Sequence, residues 1–247
     1  MLDLHCHILP DVDDGPATLD ESLELARFCV RDGITHITAT PHCHRQLRLL
    51  RADILPWVTS FNEELARSRV PLTVLPGSEI QLTDPAAYRR DFEAGLLCHL
   101  GDGRDYTLLE LPWNGRLYPP DAPDVVAWLR GRGMTPILAH PERHPYFRDV
   151  PGRLQALVDA GVILQLTVDS FLGNHGADAW AAADRLLRTY PDVVLATDAH
   201  NSTTRCSGLS AGYDLVRECY GPDRANDLRA RADHILDRLL AGSGRRH

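Results

Sequence analysis

His5-Cys6-His7 closes the first apolar run of the chain, Leu2-Asp3-Leu4. Side chains at i and i+2 of a strand share a face, so the two imidazoles can be aimed at one point. Residues of the same chemical kind recur at the ends of later apolar runs: His42, Glu79, Glu110, His140, then Asp198 and His200. Imidazole and carboxylate together suit manganese, iron and zinc, and so large a set exceeds what one tetrahedral ion requires. It suits about two or three ions sharing a carboxylate; paired ions roughly 3.5–4 Å apart can generate a hydroxide and stabilise a displaced oxygen, which is the chemistry of phosphoester hydrolysis. Asp14, in Asp11-Val12-Asp13-Asp14-Gly15, reads equally well as a further ligand and as a turn-forming acid beside Gly15. Arg143 and Arg205 each follow a candidate ligand closely. A guanidinium binds phosphate bidentately, so these two are read as phosphate-binding rather than as solvated charges.

The elements that must position these residues are short. Strands are predicted over Leu2–His5, Ile34–Thr40, Leu72–Ile80, Tyr106–Leu111, Thr135–Ala139, Val162–Leu166 and Val193–Thr197. Helical periodicity fills the intervals, with Thr18 and Glu21 as a capping box and Gly33 as the stop of the first helix. Further helices are expected over Asp53–Ala66, Ala122–Arg132, Gly152–Ala160, Ala177–Thr189 and Leu209–Tyr220, and Asp223–Ala241 reads as a final pair or one long helix. Strand-helix alternation implies a parallel sheet, and the number of units suggests a closed or nearly closed barrel spanning residues 1–247 as one domain. In such barrels the reactive residues sit at the C-terminal strand ends, where the candidate ligands fall. No Gly-x-Gly-x-x-Gly follows the first strand, which argues against a dinucleotide fold. Of the other histidines, His36 is expected to be packed and His44 to lie just outside the ligand set. His99, His144, His175 and His234 read as ordinary loop or helix residues.

The net charge of −8, with all 26 basic residues arginine, leaves a basic cluster only in the tail Arg245-Arg246-His247 and disfavours nucleic-acid binding. No apolar run is long enough for a membrane span, and Asp3 and His5 interrupt any signal-peptide core. The 6 cysteines (6, 29, 43, 98, 206 and 219) lack Cys-x-x-Cys spacing and are expected to be reduced thiols in a cytoplasmic protein.

These motifs taken in order resemble the polymerase-and-histidinol-phosphatase (PHP) superfamily, and within it the bacterial tyrosine-protein phosphatases of the CpsB/CapC/YwqE type. The likeness rests on Asp3-Leu4-His5-Cys6-His7-Ile8-Leu9-Pro10, Asp13-Asp14-Gly15, Ala39-Thr40-Pro41-His42, Gly77-Ser78-Glu79-Ile80, Leu108-Leu109-Glu110-Leu111-Pro112, Ala139-His140-Pro141-Glu142-Arg143 and Thr197-Asp198-Ala199-His200-Asn201. The resemblance implies an α/β fold, a distorted (β/α)7 TIM-like barrel, with up to three metal ions and manganese supporting activity. By position it assigns metal ligation to His5, His7, Asp14, His42, Glu79, Glu110, His140, Asp198 and His200, and phosphate contact to Arg143 and Arg205. It implies as partner a phosphotyrosine protein, typically the tail of a bacterial tyrosine kinase controlling capsule or exopolysaccharide synthesis. The chain departs from the family at Cys43-His44, after His42, and in the segment Val168–Gly176. Two other readings compete: a small-molecule phosphatase such as histidinol-phosphate phosphatase, and a non-catalytic metal-binding module, which usually loses ligands that this chain retains.

Cys98 and Arg104 fit Cys-x5-Arg, the phosphate loop of cysteine-based phosphatases. Asp102 would place a negative charge inside that anion loop, and Tyr106 opens a strand where a helix is needed, so the match is read as coincidence. Cys98→Ser is therefore expected to keep near-normal phosphatase turnover with manganese present. A folded, fully metallated but inactive variant would contradict this.

Overall fold

A computed structural model describes residues 1–205 and 207–243; Cys206 and the tail Arg245-Arg246-His247 lie outside the described residues. In chain order, β1 (Leu2–Cys6), β2 (His36–Ala39) and β4 (Thr73–Leu75) form one ladder. The strands β3 (His42–Cys43), β5 (Glu79–Gln81), β6 (Tyr106–Glu110), β7 (Thr135–Ala139), β8 (Ile163–Thr167) and β9 (Val193–Ala196) form the other. Every pairing between these strands is parallel. β2 and β3 are two halves of one strand position, as are β4 and β5. Proline has no N–H to give a ladder, and Pro41 and Pro76 stand at the two breaks. The strand predicted over Leu72–Ile80 is thus divided, and that predicted over Ile34–Thr40 is shortened and resumes at His42.

The sheet closes on itself. Asp198 N–H donates to His5 O and His7 N–H to Ala199 O, both at 2.9 Å, with Cys6 bridged to Ala199 in parallel sense. The result is the expected distorted (β/α)7 barrel. One irregularity sets the site. The pairing of β1 with β2 runs Leu2↔His36 and Asp3↔Ile37 but then Cys6↔Ala39, an extra residue on β1. Leu2 and Leu4 sit in the buried cluster that fills the barrel, so strict alternation would turn His5 away from it. A bulge re-aims the side chains that follow it, and His5 and His7 both face the interior.

Helices α1 (Leu19–Arg31), α2 (Arg51–Arg67), α3 (Pro85–Glu93), α4 (Ala122–Arg130), α5 (Pro145–Asp149), α6 (Pro151–Asp159), α7 (Val168–Phe171), α8 (Ala177–Thr189), α9 (Leu209–Tyr220) and α10 (Pro222–Ser243) join or follow the strands. Thr18 caps α1 by accepting from Glu21 N–H at 3.2 Å, while the Glu21 carboxylate reaches back one residue further than predicted, to Ala17 N–H at 2.7 Å. Gly33, at φ +87°, ends α1 with Gly33 N–H on Val30 O and Ile34 N–H on Cys29 O, the paired bonds of a left-handed C-terminal cap. The last segment is one continuous helix of 22 residues. No helix among the described residues is long and apolar enough to cross a membrane.

Ile235 and Leu239 of α10 join Leu2, Leu4, Leu108, Ile137, Ala139, Val194 and Ala196 in one buried cluster. The final helix therefore plugs the end of the barrel opposite the candidate ligands. Ile235→Ala is expected to lower stability by about 2–5 kcal/mol, the usual range for truncating a buried aliphatic side chain. Chemical denaturation reads this directly, and an unchanged midpoint would show that α10 does not seal the core.

Candidate metal centre

The site is a cleft of about 440 Å³ whose lining includes Asp14, His42, Glu79, Glu110, His140, Asp198, His200, Arg143 and Arg205. His5 and His7 are buried against the lining residues Glu79 and Asp198, with their Nε2 atoms 3.2 Å apart. All nine candidate ligands and both candidate arginines thus meet in one place. His140 (φ +33°) and Asp198 (φ +53°) both hold left-handed backbone conformations just beyond strand ends. Such conformations cost of order 1–3 kcal/mol in residues other than glycine and cluster at functional sites.

Glu79 lies at the centre. Its Oε1 is 2.8 Å from His140 Nε2 and 3.5 Å from His5 Nε2; its Oε2 is 2.8 Å from His42 Nδ1 and 3.7 Å from His7 Nε2. Asp198 Oδ1 stands 3.3 Å from His5 Nε2 and 3.4 Å from His7 Nε2. Asp14 Oδ1 stands 3.1 Å from His42 Nε2 and 3.2 Å from His200 Nε2. Four groups have ligand atoms close enough to share one ion: His7/Asp14/His42/His200, His5/Glu79/His140, His5/His7/Asp198 and His42/Glu79/Glu110. Several inward atoms lack a hydrogen bond although buried: His42 Nδ1, Glu79 Oε2 and His200 Nε2. His42 Nδ1 and Glu79 Oε2 are close, yet out of hydrogen-bond alignment. Buried ligand atoms converging without a hydrogen bond fit a bound cation that displaces their protons.

The opposite nitrogens explain this aim. His5 Nδ1 bonds Gln165 Oε1 at 2.8 Å, His7 Nδ1 bonds Asp13 Oδ2 at 2.7 Å, and His200 Nδ1 bonds the Asp198 carbonyl at 2.8 Å. In each case the outer nitrogen is held by an oxygen acceptor and Nε2 points inward, the arrangement that orients a ligating histidine once the inner proton is displaced. Gln81 Nε2 donates to Glu110 Oε2 at 2.8 Å. Sequence reasoning assigned no role to Asp13, Gln165 or Gln81. Asp13 stood beside Asp14 in a quoted motif; the two glutamines carried no signal beyond their strand positions.

Burial opposes charge on His7, yet the carboxylates of Asp13 and Asp198 overcome it and raise the imidazole to about 10. His42 is likewise raised, against burial, to about 11 by Asp14 and Glu79. Burial, reinforced by the Glu79 charge, lifts Glu110 to about 8. Against their own burial, Glu79 and Asp198 are held well below the ordinary carboxylate range by the surrounding histidines, with the charge of His5 foremost.

Arg143 Nη1 donates to Asp198 Oδ2 at 2.6 Å, and Arg205 Nη1 to Asp14 Oδ2 at 3.2 Å. Both guanidinium groups border the cleft. The segment Val168–Gly176 opens as helix α7 and contributes Asp169, Asn174 and His175 to the lining. His175, read from sequence as an ordinary loop residue, is therefore a cleft residue, tied through Nδ1 to Ser170 Oγ at 3.2 Å. His44 takes Gln46 and Leu47 N–H on Nδ1 and so holds its own turn. His36 is half-buried rather than packed. Cys98 is buried, its thiol pushed up by burial, and Asp102 is paired with Arg51 at 2.5 Å. No residue of that segment lines the cleft. Burial likewise pushes up the Cys6 thiol, which faces the Ala199 carbonyl.

A closed parallel barrel carrying a histidine-carboxylate cluster at its C-terminal strand ends defines a metallohydrolase architecture. The chain belongs to the CpsB/CapC family of capsular polysaccharide synthesis, whose model matches residues 1–237. It is 36% identical over 237 residues to the tyrosine-protein phosphatase YwqE of Bacillus subtilis, covering 96% of this chain and 91% of that protein. It is 27% identical to the tyrosine-protein phosphatase CpsB of Streptococcus pneumoniae, covering 92% and 94% respectively. A crystal structure from a study of YwqE and CpsB, described there as unique metal-dependent tyrosine phosphatases, superposes with a TM-score of 0.89 at 33% identity, covering 96% of this chain and 94% of that one.

A cation must displace protons from this cluster before it binds. With Glu110 at about 8 and His7 at about 10, manganese uptake near neutral pH is expected to release protons, and affinity to rise with pH across that range. Calorimetric titration in two buffers of different ionisation enthalpy measures the release; a value of zero would contradict the assignment.

Proposed function

We propose that this protein is a metal-dependent protein-tyrosine phosphatase acting on phosphotyrosine in the tail of a bacterial tyrosine kinase that controls capsule or exopolysaccharide synthesis. The observation that carries the reading is the convergence of nine ligand-type side chains and two guanidinium groups on one cleft, in a chain similar along most of its length to named tyrosine phosphatases. In this reading His5, His7, Asp14, His42, Glu79, Glu110, His140, Asp198 and His200 would hold about two or three divalent ions. Manganese is the favoured ion, with iron or zinc also compatible with an imidazole-carboxylate set. Such ions supply Lewis acidity and lower the pKa of water.

The protein's own residues do the rest. Asp13 and Gln165 hold His7 and His5 in the orientation that leaves Nε2 free. Arg143 and Arg205, each already bonded to a carboxylate on one side, present their remaining N–H groups to the cleft and grip the phosphate. Free thiols buried at positions 6, 43 and 98 accord with a cytoplasmic setting.

The test is turnover of a phosphotyrosyl peptide against histidinol phosphate, with manganese and after metal stripping. Preference for histidinol phosphate, or full activity in a stripped sample verified by elemental analysis, would overturn the reading. Arg143→Ala and Arg205→Ala are each expected to weaken phosphate binding by roughly 1.5–3 kcal/mol, the worth of a charge-assisted contact. Metal content should be unchanged in both; normal binding and turnover in either would remove that arginine from the site.

A further inference from the structure

The cleft is walled almost entirely by charged and polar groups, but the proposed substrate ends in a benzene ring. Among the described residues that line it, Trp113 is the single apolar side chain. Trp113 follows β6 by three residues and is 46% exposed, although Leu108, Leu109 and Leu111 are buried. Nothing in the core uses its outer surface.

Its position is nonetheless fixed. The ring stacks on His140 at 5.2 Å between centroids and 20° between planes, and lies 4.5 Å from the His144 ring. Its side chain lies close enough to Glu110 to favour the ionised carboxylate. The Arg143 guanidinium carbon lies 4.9 Å from the ring centroid, while Arg143 Nη1 holds Asp198. A phosphate gripped by Arg143 therefore has its ester oxygen, and the group bonded to that oxygen, next to the indole. An aromatic ring stacked on a half-exposed tryptophan loses water from both surfaces, and a ring that is already immobilised costs little further entropy.

We propose that Trp113 is the platform against which the aryl group of the substrate stacks, making it a specificity-determining residue for phosphotyrosine over alkyl phosphates. The inference rests on the phosphatase reading of the cleft. It goes beyond that reading in assigning aryl selection to one side chain outside the ligand set.

The experiment separates the two claims by measuring binding apart from turnover. Manganese-loaded wild type, W113F, W113A and W113Q are titrated with phenylphosphonate and methylphosphonate, which carry the phosphoryl group but are not hydrolysed. Wild type is expected to bind the phenyl compound more tightly by about tenfold, the scale of one aromatic contact plus the area it buries. W113F should keep most of that preference. W113A should lose it, and W113Q carries the same expectation if the alanine variant does not fold. Elemental analysis of each variant checks that Glu110 still serves its ion. Equal affinities in wild type, or a preference that survives in W113A or W113Q, overturns the platform. A wild type that prefers phenylphosphonate through Trp113 yet turns over no phosphotyrosyl peptide supports the platform and overturns the phosphatase reading.

Discussion

A carboxylate 1% exposed to solvent organises this molecule. Glu79 is surrounded by His5, His7, His42 and His140, and a buried charge persists only where opposite charge or hydrogen bonds compensate it. Other departures from regular structure bring its partners within reach. The break at Pro76-Gly77 separates β5 from β4 and lets Glu79 start a new ladder beside His42. Gly77 is needed there because a Cβ would lie 2.7 Å from Thr38 Cγ2. The extra residue in β1 turns His5 and His7 inward. The left-handed turn at His140 points its Nε2 back at the carboxylate. Together these features bring four imidazoles around one buried carboxylate.

The same electrostatics place the substrate. Acidic groups within the cluster draw Arg143 and Arg205 to its rim, where each guanidinium is anchored by a carboxylate and keeps donors to spare. The arginines are thereby fixed in direction before any anion arrives, which reduces the ordering cost of binding. Trp113 shares this framework, since Arg143, His140 and Glu110 all contact it.

How much of this was legible in the sequence varies with the physics involved. The ligand set was readable because reactive side chains at the ends of strands interrupt otherwise apolar runs, and β7 matches its predicted limits, Thr135–Ala139. The strand breaks were not, since apolar content continues through Leu72–Ile80 and only the prolines hint at division. Helix α3 was missed because it buries only Tyr88, so its periodicity is faint; its start was nonetheless marked by Asp84, which caps it, and by Pro85. The β1 bulge left no compositional trace. His5 and His7 were correctly paired by simple alternation, although alternation from Leu4 would have pointed them the wrong way. Gln165, Gln81 and His175 matter through tertiary contact alone, and a single sequence carries no signal for that.

The seam between β1 and β9 has a consequence for biosynthesis. Asp3 bonds Thr197 across 194 positions of chain, and His5, His7, Asp198 and His200 lie on or beside that seam. A chain emerging from the ribosome holds its first two histidines almost at once, and Asp13 and Glu79 well before the end, but Asp198, which both Nε2 atoms also face, exists only after nearly all later strands. Closing the sheet and completing the ion cage are one event. A fragment that ends before the last strand lacks Asp198 and His200 and also lacks α10 to seal the opposite end. The seam thus ties the first two ligands of the chain to the last two, and the full ligand set is assembled only when the final strand is in place.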